Sequence, residues 1–159
     1  MSAEFTIRRA TTGDAQEVAV MVCELLNEIM SAIGVQAFNV DLAETASRLK
    51  DFLESEKYFV LVARNGSGVP AGFIALCESY ALYAEGAFGT IPELYVRPEH
   101  RKIGLGLDLV SQAKAFGVSR GWTRLEVTTP PLPQFDRTLA FYEREGFAIS
   151  GGRKLKVCL

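Results

Sequence analysis

The sequence predicts an α+β fold in a single domain: a mixed sheet of about seven strands with about four helices on its faces, in the order β-α-α-β-β-β-α-β-α-β-β. Three observations carry this expectation. Strand-type runs, either alternating or almost wholly apolar, recur along the chain. Between them apolar residues fall at helical spacing, and the first two such stretches open on capping chemistry. The 159 residues are 48% hydrophobic and 23% charged, which suits one buried core and argues against disorder. No linker, internal repeat or low-complexity tract divides the chain, so residues 1–159 are expected to form one domain.

Phe5-Thr6-Ile7-Arg8 alternates as a half-buried strand does. Asp14, with Glu17 three residues on, opens a helix whose stripe is Val18, Met21, Val22, Leu25 and Ile29. Ser31 to Val40 reads as a loop of high apolar content. Asp41 then caps a second helix with Leu42, Ala46, Leu49 and Leu53 on one face. Tyr58 to Ala63 is nearly continuous in β-formers, as expected for a strand covered on both faces. Asn65-Gly66-Ser67-Gly68 makes a hairpin turn into a strand from Pro70 to Tyr80. Ala87 to Val96 forms the fourth strand, with its pairing interrupted or bulged at Pro92, which has no N–H to donate. A helix reaches Val118, Leu125 to Thr128 is a fifth strand, and Pro130 to Pro133 excludes regular structure. A short helix from Asp136 or Thr138 to Glu145 ends at Gly146. Phe147–Ile149 and Leu155–Leu159 are expected as a final pair of strands about Gly151-Gly152.

Composition narrows the functional classes. The net charge of −2 disfavours wholesale nucleic-acid binding, and the basic residues gather only locally, at Arg97–Lys102. No apolar run approaches the roughly 18 residues that span a bilayer, and the N-terminus lacks a signal-peptide pattern, so no membrane partner and a cytoplasmic location are expected. Cys23, Cys77 and Cys158 lie far apart in apolar runs and read as reduced core residues. His100 is the only histidine, so no histidine-based metal site is expected.

The stretch with most chemical content is Arg101-Lys102-Ile103-Gly104-Leu105-Gly106, where a strand gives way to a helix. Helix-start N–H groups lack internal partners and carry partial positive charge, and glycine lets an anion approach them. A phosphate-bearing, nucleotide-like ligand suits that place.

Two blocks make the reading more specific. Glu93-Leu94-Tyr95-Val96-Arg97-Pro98-Glu99-His100-Arg101-Lys102-Ile103-Gly104-Leu105-Gly106 is similar to the strand-plus-pyrophosphate motif of the GNAT acyltransferase superfamily, Arg/Gln-x-x-Gly-x-Gly/Ala. Phe141-Tyr142-Glu143-Arg144-Glu145-Gly146-Phe147 is similar to its Phe-Tyr-x-x-x-Gly-Phe signature. The resemblance covers essentially the whole chain. It implies a mostly antiparallel, twisted sheet whose fourth and fifth strands splay apart. It also implies acetyl-CoA as cosubstrate without a metal, and transfer of the acetyl group to a primary amine of a small molecule or peptide in a ternary complex. Arg101, Lys102, Ile103, Gly104, Leu105 and Gly106 would surround the pyrophosphate, mostly through main-chain N–H groups, and Leu94, Tyr95 and Val96 would pair with the pantetheine arm. One position departs from the family: an asparagine commonly stands seven residues before the tyrosine, and here it is Phe135.

Acyl transfer to an amine needs a base, because a free alkyl ammonium has a pKa near 10.4. It also needs donors for the oxyanion and protonation of the leaving thiolate. Glu93 is the candidate base, main-chain N–H groups near Leu94 to Val96 the candidate donors, and Tyr142 the proton source that the resemblance places near the sulfur. The Ser31–Val40 loop, Tyr80, Tyr83 and the segment around Phe135 are the expected acceptor pocket. Glu24 and Glu28, one turn apart, read either as a solvated face or as an attraction for a cationic substrate. A coenzyme-binding sensor without turnover, and acylation of a protein lysine or a hydroxyl, remain as alternatives. The resemblance leaves a homodimer open.

Overall fold

The computed structural model describes residues 4–159. By contacts the chain divides into two compact units, one ending at Thr128 and the other running from Thr129 to Leu159. The first unit carries the sheet. Strand β1 (Thr6–Arg9) is followed by a 3₁₀ turn closed by a capping box: the Thr11 N–H donates to Asp14 Oδ2 at 2.7 Å. Helix α1 (Ala15–Ile33) runs further than the sequence expectation and stops at Gly34, whose φ of +69° is the left-handed cap that glycine adopts without strain. Residues 34–40 remain a loop. Helix α2 (Leu42–Glu54) starts as its sequence dictates, with the Asp41 carboxylate accepting from the Glu44 N–H at 2.9 Å.

Strands β2 (Phe59–Arg64) and β3 (Pro70–Ala81) form a hairpin. Its turn is held by Asn65 Oδ1, which accepts from the Ser67 and Val69 N–H groups. The expected fourth strand is two strands, β4 (Gly86–Ile91) and β5 (Leu94–Val96), both antiparallel to β3. Helix α3 (Leu105–Ser119) and strand β6 (Leu125–Val127) complete this unit. The sheet order is β1-β2-β3-β4-β6, with β5 beside the first half of β3; only the β4–β6 pair is parallel.

The second unit contains helix α4 (Asp136–Arg144). The expected strands at Phe147–Ile149 and Leu155–Leu159 are absent, so the described sheet has six strands and not seven. The alternation is present in sequence, but Leu155 and Val157 are 91% and 81% exposed and no ladder includes them. A strand needs a partner edge as well as a pattern, and here the pattern has none. Cys158 shares that exposure, which corrects its assignment to a core; Cys23 and Cys77 are half-buried.

Two apolar layers sandwich the sheet. Val60, Val62, Phe73, Ala75 and Tyr95 face Ala15, Val18, Met21 and Leu49 of the α1/α2 side. On the opposite face Phe59 packs its ring against Phe116 and Trp122, at centroid separations of 5.1 and 6.3 Å. The alternation of β2 and β3 delivers these two sets, since successive residues point to opposite faces.

The register holds one irregularity that matters for function. Along β4 the pairs are Cys77↔Thr90 and Glu78↔Gly89; along β5 they are Ile74↔Leu94 and Phe73↔Tyr95. The Ala75 N–H donates to the Glu93 carbonyl at 2.9 Å. Leu76 therefore faces both Ile91 and Pro92, which is a β-bulge of one residue. The extra residue reverses the alternation and places Glu93 opposite Ala75, on the α1/α2 face. An unbulged register would have turned it to the other face.

Close approach fixes β5 against β3. A methyl group at Gly72 would come within 2.6 Å of the Tyr95 carbonyl oxygen. Gly72→Ala is expected to lower stability by about 2 kcal/mol through overpacking, read as a reduced urea midpoint with an unchanged m value.

Candidate active site

The bulge at Pro92 frees one edge of the sheet. Beyond it β4 continues its parallel pairing with β6 no further than Ile91↔Val127, whereas β5 pairs only with β3. In an antiparallel ladder alternate residues exchange both their main-chain groups with the partner strand. The Glu93 carbonyl and the Arg97 N–H bond to β3, at 2.9 and 2.8 Å. The N–H and C=O groups of Leu94 and Val96 consequently face the other way, toward the open edge. The Val96 carbonyl there accepts from Arg101 Nε at 2.8 Å.

The chain then tightens into the turn before α3. Lys102 and Gly104 both have left-handed backbone, with φ of +67° and +86°. Gly104 is the N-cap of α3 and offers no side-chain acceptor, so the first-turn N–H groups, those of Leu105 and Gly106 among them, keep their partial positive charge for a ligand. A side chain at Gly104 would meet nothing within 4 Å, so the space above the turn is open. Ile103 is 57% exposed.

Two cationic side chains nearby, Arg97 and Arg101, serve the scaffold. Arg101 binds both carboxylate oxygens of Glu28, at 2.8 and 3.0 Å, and stacks over the Tyr95 ring. Arg97 grips Glu24 through Nε and one terminal nitrogen, at 3.1 and 2.9 Å, and donates a further bond to the Pro70 carbonyl. Tyr95 donates its hydroxyl to the same Glu24 at 3.1 Å. Glu24 and Glu28 thus tie α1 to β5 and to the turn while staying partly exposed. Their spacing along α1 was legible, but their partners lie more than 70 residues away. Paired to Glu28, Arg101 leaves the cradle to be made of main chain.

Glu93 stands at the junction of edge and bulge. Tyr58 donates its hydroxyl to Glu93 Oε1 at 3.2 Å, while Oε2 is buried and has no hydrogen-bond partner. Burial pushes the carboxyl up to about 7, and the Tyr58 hydrogen bond offsets part of that rise. Cys77 lies on the same side of β3; burial, then the nearby Glu93 charge, pushes its thiol up to about 11. Tyr58 is driven upward by burial and by Glu93, so it stays a neutral donor. Neither Tyr58 nor Cys77 stood out as functional in the sequence. Tyr58 is in phase with Val60 and Val62, but its meeting with Glu93 depends on the bulge.

Tyr142 belongs to the second unit. It is buried on α4 with its ring edge-on to Phe141 and Phe147, each at a centroid distance of 5.3 Å. Burial raises its hydroxyl above the ordinary range, which keeps the proton on. Tyr80 and Tyr83, expected to line an acceptor pocket, are 73% and 76% exposed where β3 turns into β4. His100 lies in a surface turn with its ring against Phe5. Among the described residues no group of three or more His, Cys, Asp or Glu side chains is arranged to hold a metal, and no helix is long and apolar enough to cross a membrane.

The model of the acetyltransferase (GNAT) family matches residues 20–147. An aminoalkylphosphonate N-acetyltransferase of Salmonella typhimurium (strain LT2) is 31% identical over 150 residues, which is 94% of this chain and 89% of that protein. Two solved structures share the fold. The ribosomal-protein-alanine N-acetyltransferase of Brucella melitensis biovar Abortus 2308 aligns with a TM-score of 0.74 at 19% identity, over 98% of this chain and 100% of that one. An aminoglycoside N-acetyltransferase in complex with CoA aligns with a TM-score of 0.80 at 13% identity, over 99% of this chain and 97% of that one.

The raised Glu93 carboxyl makes a stability prediction with a definite sign. In the folded protein it holds its proton up to about pH 7, above the ordinary value of 4.5. Its contribution to stability is therefore full below about pH 4.5 and is lost as pH rises through about 7. Urea denaturation of the parent and of Glu93→Gln between pH 4.5 and 8 should diverge, the parent losing roughly 2 kcal/mol more over that interval. Parallel curves would contradict the buried, proton-holding carboxyl.

Proposed function

Because the chain belongs to the GNAT acetyltransferase family, we propose that it transfers the acetyl group of acetyl-CoA to the primary amine of a small molecule, by direct attack in a ternary complex. The observation that carries this reading is one stretch, Pro92 to Gly106. It combines a carboxylate oxygen without a donor, an open main-chain edge and an uncapped helix N-terminus. These are the parts that proton removal, alignment of an amide-rich arm and binding of a pyrophosphate each require.

Glu93 Oε2 takes a proton from the acceptor ammonium, which leaves a neutral nitrogen to attack the thioester carbonyl. A carboxyl near 7 is well matched to that task at neutral pH, since an ordinary carboxylate is too weak a base. The Leu94 N–H on the open edge donates to the oxyanion as the C–N bond forms. When the C–S bond breaks, Tyr142 protonates the departing thiolate, and the second proton that the acylated nitrogen loses returns the phenolate to its neutral form; this role rests on the family resemblance, and a hydroxyl that burial keeps protonated is in the form a donor needs. The outward main-chain groups of Leu94 and Val96 align the pantetheine arm, and Tyr95, paired to β3, holds the strand between them. The turn from Arg101 to Gly106 cradles the pyrophosphate through its N–H groups, with Arg101 and Lys102 shaping the turn.

A small-molecule amine is favoured over a protein lysine by the relative that acts, by its name, on aminoalkylphosphonates across nearly the whole length of both chains. Free-thiol release from acetyl-CoA tests the reading against aminoalkylphosphonates, polyamines, amino acids and a lysine peptide. Turnover with at least one small primary amine is expected. Turnover confined to the peptide, or coenzyme binding without release of thiol under any condition, would overturn it. With the working acceptor, Tyr142→Phe is expected to lower kcat about tenfold or more while leaving coenzyme affinity unchanged. An unchanged kcat would remove the tyrosine from the mechanism.

A further inference from the structure

Glu93 is the proposed base, yet a carboxylate is useful only if the right oxygen meets the substrate. Its two oxygens are chemically equivalent until something distinguishes them. Here something does. Oε1 accepts from Tyr58 at 3.2 Å, and Oε2, which is buried, accepts from no protein donor. A buried polar oxygen without a donor is unfavourable by about 1–3 kcal/mol, and such atoms recur where a ligand supplies the missing bond.

Tyr58 itself has little freedom. Its ring rests on Phe52 at a centroid separation of 5.2 Å and packs against the α1/α2-side core. Its main-chain N–H bonds to the Phe52 carbonyl. The hydroxyl is therefore delivered to one point by a ring held on one side by α2 and on the other by the sheet. The remaining neighbour is Cys77, which hydrogen-bonds to Thr90. Among the described residues, Tyr58, from the segment entering β2, and Cys77, on β3, are the titratable groups set around the carboxyl. Both keep their protons through the physiological range. No formal charge competes for Glu93, so one neutral donor decides how the carboxylate lies.

We propose that Tyr58 is a positioning residue for acetyl transfer: by holding Oε1 of Glu93 from the α2 side, it fixes Oε2 as the oxygen that receives the proton of the acceptor amine. This rests on the assignment of Glu93 as the base. In the step concerned, the proton moves from the ammonium nitrogen to Oε2, and the nitrogen keeps its electron pair for attack. Tyr58 gains and loses nothing; it stays a donor to Oε1 throughout. Its hydrogen bond also favours the charged carboxylate, which opposes the upward push of burial and keeps the base within reach of neutral pH.

The test reads Glu93 directly. Protein labelled with ¹³C at the glutamate carboxyl carbon is titrated by NMR, and the Glu93 signal is the one missing in Glu93→Gln. In Tyr58→Phe, which keeps the ring packing, the Glu93 midpoint is expected to rise by roughly half a pH unit or more. The acid limb of kcat against pH should rise with it. With acetyl-CoA and the small amine that turns over in the thiol-release panel, kcat is expected to fall about tenfold while KM for acetyl-CoA stays level. Replacing Tyr58 with 3-fluorotyrosine keeps the shape and makes the hydroxyl a stronger donor, so the midpoint should fall. Midpoints unchanged in both folded variants, with Glu93→Gln inactive, would overturn the Tyr58 proposal alone. Full turnover by Glu93→Gln would overturn the base assignment and the positioning role with it.

Discussion

The site depends on a single extra residue in a strand. Between Thr90 and Glu93 the chain spends two residues, Ile91 and Pro92, against one residue of β3. Proline has no N–H for a ladder, so continuous pairing at this point was never available. Two consequences follow from the same bulge. The strand parts from its β6 neighbour and leaves the outward main-chain groups of Leu94 and Val96 without a strand partner. The alternation also reverses, so that Glu93 turns to the face where Tyr58 and Cys77 are waiting. An open main-chain edge and a candidate base are thus produced together.

The neighbouring scaffold keeps that edge in place. Gly72 admits the Tyr95 carbonyl where any side chain would collide, so β5 stays close to β3 despite its length of three residues. Arg97 and Arg101 then join β5 and the following turn to Glu24 and Glu28 on α1. Both pairs are partly exposed, so neither contributes much to stability alone. Their value is geometric: two bidentate or forked contacts and the Tyr95 hydroxyl fix one helix against a short strand. Arg97 and Arg101 are consumed in that role. In the proposed reading, anion binding at the turn falls to the main chain of α3, which holds its orientation because the helix behind it is packed into the sheet.

Much of this was legible in sequence where the determinant is local. Asp41 caps α2, Asn65 builds the hairpin turn, Gly104 precedes α3 and Pro92 interrupts pairing, each by the chemistry of one residue and its immediate neighbours. The family followed from two motifs that survive without knowledge of the fold. Register was not legible. The expected fourth strand became two, and the Tyr58–Glu93 contact spans 35 positions and exists only because of the bulge. The tail shows the converse error. Leu155, Val157 and Leu159 alternate as a strand would, but alternation describes a face and supplies no edge to bond to. Cys158 was misplaced for the same reason, and the pairing of Glu24 and Glu28 was hidden because their arginines are distant in sequence.

The central claim is that the main-chain edge opened by the bulge receives the coenzyme arm. Residue-resolved hydrogen exchange with and without coenzyme A tests it most directly. The Leu94 and Val96 amides, which have no strand partner on their outward side, are predicted to slow by at least about tenfold on binding, together with those at the start of α3. Saturating coenzyme A that protects the α3 amides while Leu94 and Val96 exchange at their free rate would contradict it.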